Sequence, residues 1–566
     1  MADFDAIVVG SGISGGWVAK ELCERGLKVL VLERGRQVTP QDDYSDNLDP
    51  WERPQLDWVS PDEKATVYPE QSKIYAFHET TKQFWVKDSE HPYLQEGEGK
   101  FSWRRGYHLG GRSIMWGRQA YRWSPIDFEA NAMDGEGVDW PIRYEDLAPW
   151  YDTVEKFVGI SGGRDNVPTL PDGQHFLPPF DMTCAEEMLK AQIETHFPER
   201  QLIIGRVANL SRATEEQTAL GRGQCQARNL CYRGCSYGAY FSSLSATLPA
   251  AERTGNMTLV TDAIVQKLDY DSVLQKVTGV QVIDAKSKAS RTYTAPIIFL
   301  NASTIASASI LLNSKSETMP NGLANGSDQV GRNIMDHVGG SRVQATAPGN
   351  LDKYYYGRRP TGAYLPRYRN YPERDQDYKR GFAYQVYSHR DGAWSQHQGI
   401  GAALKAKNRM PGRWRIMLDV FGEVLPHPDN RVTLHEMKTD AWGMPLPVIN
   451  AKMRDNEKAI LKAGHADAIE IFEKAGFTDI TTPWQPDRNE TEIGARIHEM
   501  GTARMGRDPK TSVLNGFNRA HDVKNLFITD GSAMASSACQ NPSLTYMALS
   551  ARAANYAADL FQSGDL

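Results

Sequence analysis

The chain opens on a short apolar run, Ala6–Val9 (AIVV), that stops at a glycine, the length and composition of a buried strand. A helical pattern follows with Val18, Ala19 and Leu22 on one face, and a second apolar run over 28–32 stops at Glu33. Strand, helix and strand in that order predict a βαβ unit at the N-terminus. The far end carries a related pattern. Residues 526–529 read as a strand, Asp530 and Gly531 as a turn, and about 544–560 as a helix with small and apolar residues on one face. Asn541-Pro542-Ser543 marks its start, with proline near the first turn. In the middle the period shortens. From about 339 to 447, alternating runs such as RIMLDVFG (415–422) and RVTLHE (431–436) predict an antiparallel sheet. A helix over 455–475 is expected to lead back toward the N-terminal unit. Residues 42–99 are polar, rich in Trp and Pro and poor in regular runs, which predicts a lid or a partner-binding arm.

Composition narrows the function classes. At 566 residues the chain has room for about three or four domains, fewer if they interleave. A net charge of −6 argues against a nucleic-acid surface, and the locally basic run 358–380 is broken by Asp and Glu, as a solvated face would be. No apolar stretch approaches the roughly 20 residues of a membrane helix, so no direct membrane insertion is expected. The N-terminus enters its first motif at Asp5 without a signal-peptide pattern, so the expected location is cytoplasmic, or periplasmic if a signal-bearing partner carries the chain out.

The first motif is Gly10-x-Gly12-x-x-Gly15, set between the predicted strand and helix. Gly10 permits the tight turn, Gly12 lets backbone approach a pyrophosphate, and Gly15 lets helix and strand pack closely. The helix start offers free N–H groups to phosphate. Glu33 can accept from ribose hydroxyls and would repel a 2′-phosphate, which disfavours NADP. This motif alone does not separate FAD from NAD. A second glycine-rich stretch, RRGYHLGGRSIMWGRQAYR (104–122), contains Gly110, Gly111, Arg112, Ser113, Trp116 and Gly117 and allows close approach to a flat or anionic ligand. A third, HEMGTARMG (498–506), carries a histidine with no second histidine four residues on, which excludes a zinc-protease pattern.

GSGISGG, LGGRSIMWG, LNASTIASASILLNS (300–314), VGRNIMDH (330–337), HEMGTARMG and DGSAM…QNPSLT follow one another as in the glucose-methanol-choline (GMC) oxidoreductases, and the chain resembles that family over nearly its whole length. The closest resemblance is to its sugar-oxidising branch, pyranose oxidases and bacterial FAD-dependent glucoside 3-dehydrogenases. It implies an α/β fold, a Rossmann-like FAD-binding domain interleaved with a mainly antiparallel-sheet substrate domain. The expected division is 1–41, 100–338 and 490–566 mainly for FAD, 339–489 mainly for substrate, with 42–99 as the insert. It also implies His498 as catalytic base beside the flavin, with Asn541 sharing the site. A neutral imidazole suits removal of a hydroxyl proton near neutral pH, and an amide can bond the developing alkoxide without competing for the proton. The implied FAD contacts are Gly10, Gly12, Ser14, Gly15, Glu33, Arg34, Gly110, Gly111, Ser113, Trp116, Gly117, Val265, Ala302, Asp530, Gly531, Asn541, Pro542 and Thr545.

Cys225, Cys231 and Cys235 form a C-x5-C-x3-C loop. Thiolates at this spacing are candidate iron–sulfur ligands, and the resemblance implies a [3Fe-4S] cluster passing electrons to a cytochrome or other acceptor, with a small subunit as a further partner. A zinc site completed from elsewhere and simple packing remain open readings. Cys23, Cys184 and Cys539 read as packing residues. Among the middle tyrosines, Tyr354, Tyr355, Tyr356, Tyr364, Tyr368, Tyr384 and Tyr387 suit a sugar ring face, but strands favour aromatics anyway, so none is assigned to substrate. The expected function is FAD-dependent oxidation of a secondary hydroxyl of a sugar or glycoside, specifically C3 of a glucoside, with electrons leaving to an external acceptor. The rivals are an oxygen-using pyranose oxidase, a flavin-bearing electron-transfer subunit without chemistry of its own, and an NAD-linked dehydrogenase.

In pyranose oxidases a histidine in the second motif binds flavin covalently; aligning the paired glycines and the tryptophan puts Met115 there, and a thioether cannot form that link. FAD is therefore expected to be non-covalent. Acid precipitation should release all of the flavin into the supernatant; yellow colour remaining on the pellet after washing contradicts it.

Overall fold

The structure is a computed structural model and describes residues 4–353, 362–391, 399–409, 412–483 and 492–566. Tyr354, Tyr355, Tyr356, the start of the basic run at 358–361 and the 489/490 boundary lie outside the described residues. The N-terminal apolar runs form the centre of a five-stranded parallel sheet, in the order Leu526–Phe527, Ile297–Leu300, Ala6–Val9, Val29–Leu32, Met257–Val260. Ala6 sits opposite both Val29 and Ile297. The three inner strands are buried at every residue, which explains why they read as unbroken apolar runs rather than alternating ones.

The first helix, Ile13–Glu24, and the last, Ser543–Ser563, pack against each other over this sheet. Val18, Ala19 and Leu22 of the first meet Ala553, Ala554, Ala557 and Ala558 of the last, and the small side chains let the helices approach. The last helix is longer than the pattern suggested at both ends, and Pro542 is its cap rather than a first-turn residue. A three-stranded antiparallel meander, Ala263–Asp271, Lys276–Asp284 and Ser290–Tyr293, links the edge strand of the parallel sheet to an inner one.

The second layer is a seven-stranded sheet in which every pair is antiparallel. Its centre is Trp414–Glu423 between Arg342–Ala347 and Phe382–Arg390. Two expectations need correction. The run 431–436 is not in this sheet; Arg431–Thr439 pairs with Pro445–Asn450, which pairs in parallel with Leu94–Gln95 of the insert. The helix Asp455–Lys474 does not lead back to the N-terminal unit but covers the outer face of the seven-stranded sheet, where the Gly464 carbonyl accepts from the Tyr384 hydroxyl at 2.6 Å. Its apolar face found the nearer sheet. The segment assigned mainly to FAD also supplies this sheet with its last strand, Ile203–Ile204, paired to Ala363–Leu365.

The insert folds into short helical turns around Tyr44, Tyr68, Phe77, Phe84 and Trp85, packed on Ile114 and Met115 of the second motif. Among the described residues no helix is long and apolar enough to cross a membrane.

Two of the motif glycines differ in what limits them. A Cβ on Gly15 would stand 1.9 Å from the Gly10 carbonyl oxygen, whereas one on Gly12, at φ −66°, would meet nothing within 4 Å of protein. Gly15→Ala should therefore lower the stability of the flavin-free protein by about 1–3 kcal/mol. Gly12→Ala should leave it within ~0.5 kcal/mol of wild type while reducing bound flavin; melting of both apo variants and their flavin absorbance check this.

Candidate active site

A single cavity of about 940 Å3 runs from the carboxyl ends of the parallel strands to the inner face of the seven-stranded sheet. That is the place where open α/β sheets bind ligands, and the volume is near the top of the ~300–1,000 Å3 range for small-molecule sites. Residues that end the parallel strands line it: Gly10 after the first, Glu33 after the second, Asn301 and Ala302 after the third.

The first and second motifs meet here. Ser11 Oγ donates to Glu33 and accepts from the Gly110 amide at 2.9 Å, and the Gly111 Cα faces Gly12 closely enough that an added Cβ would stand 3.5 Å from it. Glu33 also accepts from the amides of Ser11 and Gly35, which partly offset the upward push that burial gives its pKa. Arg112 of the second motif forms a two-pronged ion pair with Glu499, the neighbour of His498, at 3.2 and 2.8 Å. Arg34 lies over Tyr107, with Asp440 at 3.3 Å.

The cavity's own chemistry fits a polar dinucleotide. The first helix begins at Gly12 with no side-chain cap and no acidic residue in its first turn, so its leading N–H groups face the cavity. Buried lining atoms such as Arg34 Nε, Trp85 Nε1, Arg104 Nε, Asn301 Nδ2 and Tyr546 Oη have no hydrogen-bond partner among the described residues. Polar groups so placed are costly unless a ligand satisfies them.

At the other end of the cavity, His498 Nε2 and Asn541 Nδ2 stand 3.4 Å apart although 43 residues separate them. The backbone before His498 is bent around one carboxylate: Asp336 accepts from the amides of Gly494 at 2.8 Å, Arg496 at 3.0 Å and His498 at 3.1 Å. Burial, with Glu499 nearby, pushes Asp336 up to about 6. Behind the base, His498 Nδ1 lies 3.0 Å from His337 Nδ1. Burial is the main cause that drives the His498 pKa well below the ordinary imidazole value, reinforced by His337, Arg112 and Arg496, and burial takes His337 down to about 3. Both shifts favour uncharged rings near neutral pH, and an uncharged imidazole keeps one nitrogen free to accept a proton. Asn541 Oδ1 accepts from Gln385 Nε2 at 2.9 Å, and Gln385 Oε1 accepts from the Tyr387 hydroxyl at 2.5 Å.

The cavity thus gathers Gly10, Gly12, Ser14, Glu33, Arg34, Gly111, Ser113, Trp116, Gly117, Val265, Ala302, Asp530, Gly531, His498 and Asn541. Four named residues do not line it. Gly15 is enclosed against the Gly10 carbonyl, Gly110 packs toward Leu244, Pro542 caps the last helix, and Thr545 is bonded to the Tyr151 hydroxyl at 2.8 Å. Each supports a lining residue from behind. Gln385 was not named from the sequence, Tyr387 was named without a role, and Asp336 and His337 entered only as the end of the VGRNIMDH motif. Gln385 and Tyr387 did have a signal: two polar side chains at period two in FAYQVYSHR, facing the cavity while Tyr384 faces the covering helix.

Cys225, Cys231 and Cys235 line a separate small cavity of about 20 Å3. Burial pushes the Cys231 thiol up to about 11. Cys23 and Cys539 are buried and Cys184 is half-buried.

Comparison with known proteins matches this geometry. GMC oxidoreductase family models match residues 4–339 and 426–550. The chain is 28% identical over 567 residues to the fructose dehydrogenase large subunit of Gluconobacter japonicus, covering 97% of each. It is also 28% identical to paromamine 6'-oxidase of Streptomyces fradiae, covering 97% of this chain and 90% of that one. A crystal structure of pyridoxine 4-oxidase shares the fold, with a TM-score of 0.63, 17% identity and 98% of each chain covered. The chain belongs to the GMC oxidoreductases and is an FAD-dependent oxidoreductase acting on CH–OH groups.

Proposed function

We propose that the chain oxidises a secondary hydroxyl of a sugar or glycoside, with C3 of a glucoside as the specific substrate position. The observation that carries the reading is the His498–Asn541 pair opening into the same cavity as the nucleotide motif. FAD, when bound, supplies a two-electron hydride acceptor. The chain's own part is proton handling and orientation. His498 Nε2 takes the hydroxyl proton as hydride leaves the same carbon, so that alcohol becomes carbonyl with one proton on the imidazole. Asn541 Nδ2 holds the oxygen as it gains negative charge. Gln385, Tyr387, Asp419 and Arg496 offer hydrogen bonds suited to ring hydroxyls, and Phe421 offers an apolar face. Relatives named as a fructose dehydrogenase and a paromamine oxidase support a carbohydrate substrate.

The reading extends to the cysteine loop, which we assign to a [3Fe-4S] cluster. The only His, Cys, Asp and Glu ligand atoms that converge within 4.8 Å among the described residues are those of Asp336, His337 and His498, so the three sulfurs do not close on one ion. Zinc bonds sulfur at about 2.3 Å, which would require closer sulfurs; a cluster with several irons tolerates wider spacing. Arg228 and Arg233 of this loop pair with Asp46 and Asp57 of the insert, whose Trp51 and Trp58 are exposed, which supports the partner-arm reading of 42–99. A small subunit and a cytochrome-type acceptor would dock there, in the cytoplasm or, if a signal-bearing subunit carries the pair, in the periplasm.

His498→Ala should retain flavin while anaerobic flavin reduction by a responsive glucoside falls ~10²–10⁴-fold. In wild type that rate should hold steady as pH falls from about 8 through the ordinary imidazole range near 6.5, because a depressed pKa keeps the ring neutral; a near-normal rate in the variant removes His498 from the role, and product NMR identifies the carbon oxidised. Iron and acid-labile sulfide should be found with the purified protein and lost in Cys231→Ser; their absence from wild type returns the loop to packing.

A further inference from the structure

Six polar contacts form one line through the substrate side of the cavity, and the first four are hydrogen bonds that all run in one direction. The Tyr121 hydroxyl donates to Gln119 Oε1, and Gln119 Nε2 donates to the Tyr387 hydroxyl at 3.3 Å. Tyr387 donates to Gln385 Oε1, and Gln385 Nε2 donates to Asn541 Oδ1 at 2.9 Å. That leaves Asn541 Nδ2 facing His498 Nε2, and His498 Nδ1 facing His337 Nδ1 at 3.0 Å.

An amide has one accepting end and one donating end, so the direction of each bond dictates the next. Once Gln385 donates to Asn541 Oδ1, the group Asn541 shows to His498 is N–H, and the matching state of His498 Nε2 is a bare lone pair. A neutral imidazole with a bare Nε2 carries its proton on Nδ1 and must donate it, here to His337 Nδ1. His337 can accept there only if its own proton is on Nε2. The Gln540 backbone carbonyl favours a proton on this ring, although it falls short of full hydrogen-bond geometry with Nε2. The Gln385 end therefore calls for this polarity, and the Gln540 carbonyl beside His337 is compatible with it. The link is covered: Gln119, Tyr121, His337 and Gln385 are all buried, and Tyr121 stacks on Tyr364 at 4.2 Å. The charged groups acting on His498 are Arg112 and Arg496, with His337 as the titratable one.

We propose that Gln385 and His337 are positioning residues that hold His498, from opposite sides, in the one tautomer whose Nε2 is free to accept a proton. Gln385 acts through Asn541, and Tyr387 orients Gln385. The kinetic consequence rests on His498 being the base, but the tautomer itself does not.

The test is ¹⁵N NMR of the holoenzyme labelled at histidine, with His498 assigned by its loss in His498→Asn. Wild type should show His498 protonated on Nδ1 and bare at Nε2. Gln385→Glu replaces the donor to Asn541 with an acceptor, which turns the Asn541 amide so that its oxygen faces His498. At alkaline pH, where the introduced carboxyl is ionised, the ring proton should then move to Nε2, and flavin reduction should fall ~10²-fold with flavin content unchanged. Gln385→Met, similar in size but without polarity, should lose less and keep the wild-type tautomer, which His337 still favours. A proton on Nε2 in wild type overturns the proposal, as does an unchanged tautomer in a folded Gln385→Glu at alkaline pH. If no alcohol reduces the wild-type flavin, the oxidation reading fails while the tautomer can still be read.

Discussion

One buried carboxylate holds the catalytic end of this molecule together. Asp336 accepts three backbone amides from 494–498, and without them that loop would have no reason to bend so that His498 points into the cavity. The arrangement is costly in isolation, because burial opposes the charge and raises the pKa to about 6. It persists because three amides that would otherwise be orphaned are satisfied by the same group. The adjacent His337 then meets His498 Nδ1 at 3.0 Å, so two consecutive residues fix where that ring sits.

The two sheets divide the labour around this point. The parallel sheet brings glycines and helix starts to its carboxyl edge, where backbone can approach a phosphate, and Ser11 fastens the second motif onto the first. The antiparallel sheet brings alternating side chains, so that one face packs on the helix Asp455–Lys474 and the other presents Gln385, Tyr387, Met417 and Asp419 to the cavity. A nucleotide wall built of backbone and a substrate wall built of side chains suit their tasks. The first must admit a fixed cofactor, whereas the second can vary with substrate.

Charge supports the same division. The chain carries −6 overall, yet Arg34, Arg104, Arg105 and Arg112 surround the nucleotide half of the cavity. On the substrate side Arg342 and Arg496 share the carboxylate of Asp419 at 3.0 and 2.7 Å, which gives a polar wall rather than an apolar one.

Local pattern determined much of this protein by itself. The G-x-G-x-x-G turn, the buried strands beside it, the long last helix and the identity of His498 and Asn541 as a pair to watch were all legible, because each depends on residues near in sequence or on motif order. Sheet membership was not. Arg431–Thr439 and Trp414–Glu423 carry similar alternation but belong to different sheets, since period two reports a half-buried strand and not which partner covers it. The helix Asp455–Lys474 likewise announced its apolar face but not the surface that face would meet. The roles of the groups around His498 were also beyond reach: Asp336, His337, Gln385 and Tyr387 are ordinary polar residues until folding brings four distant segments within hydrogen-bond range. Tertiary structure alone decided that, because a hydrogen bond needs a distance and a direction, and sequence order supplies neither between residues so far apart.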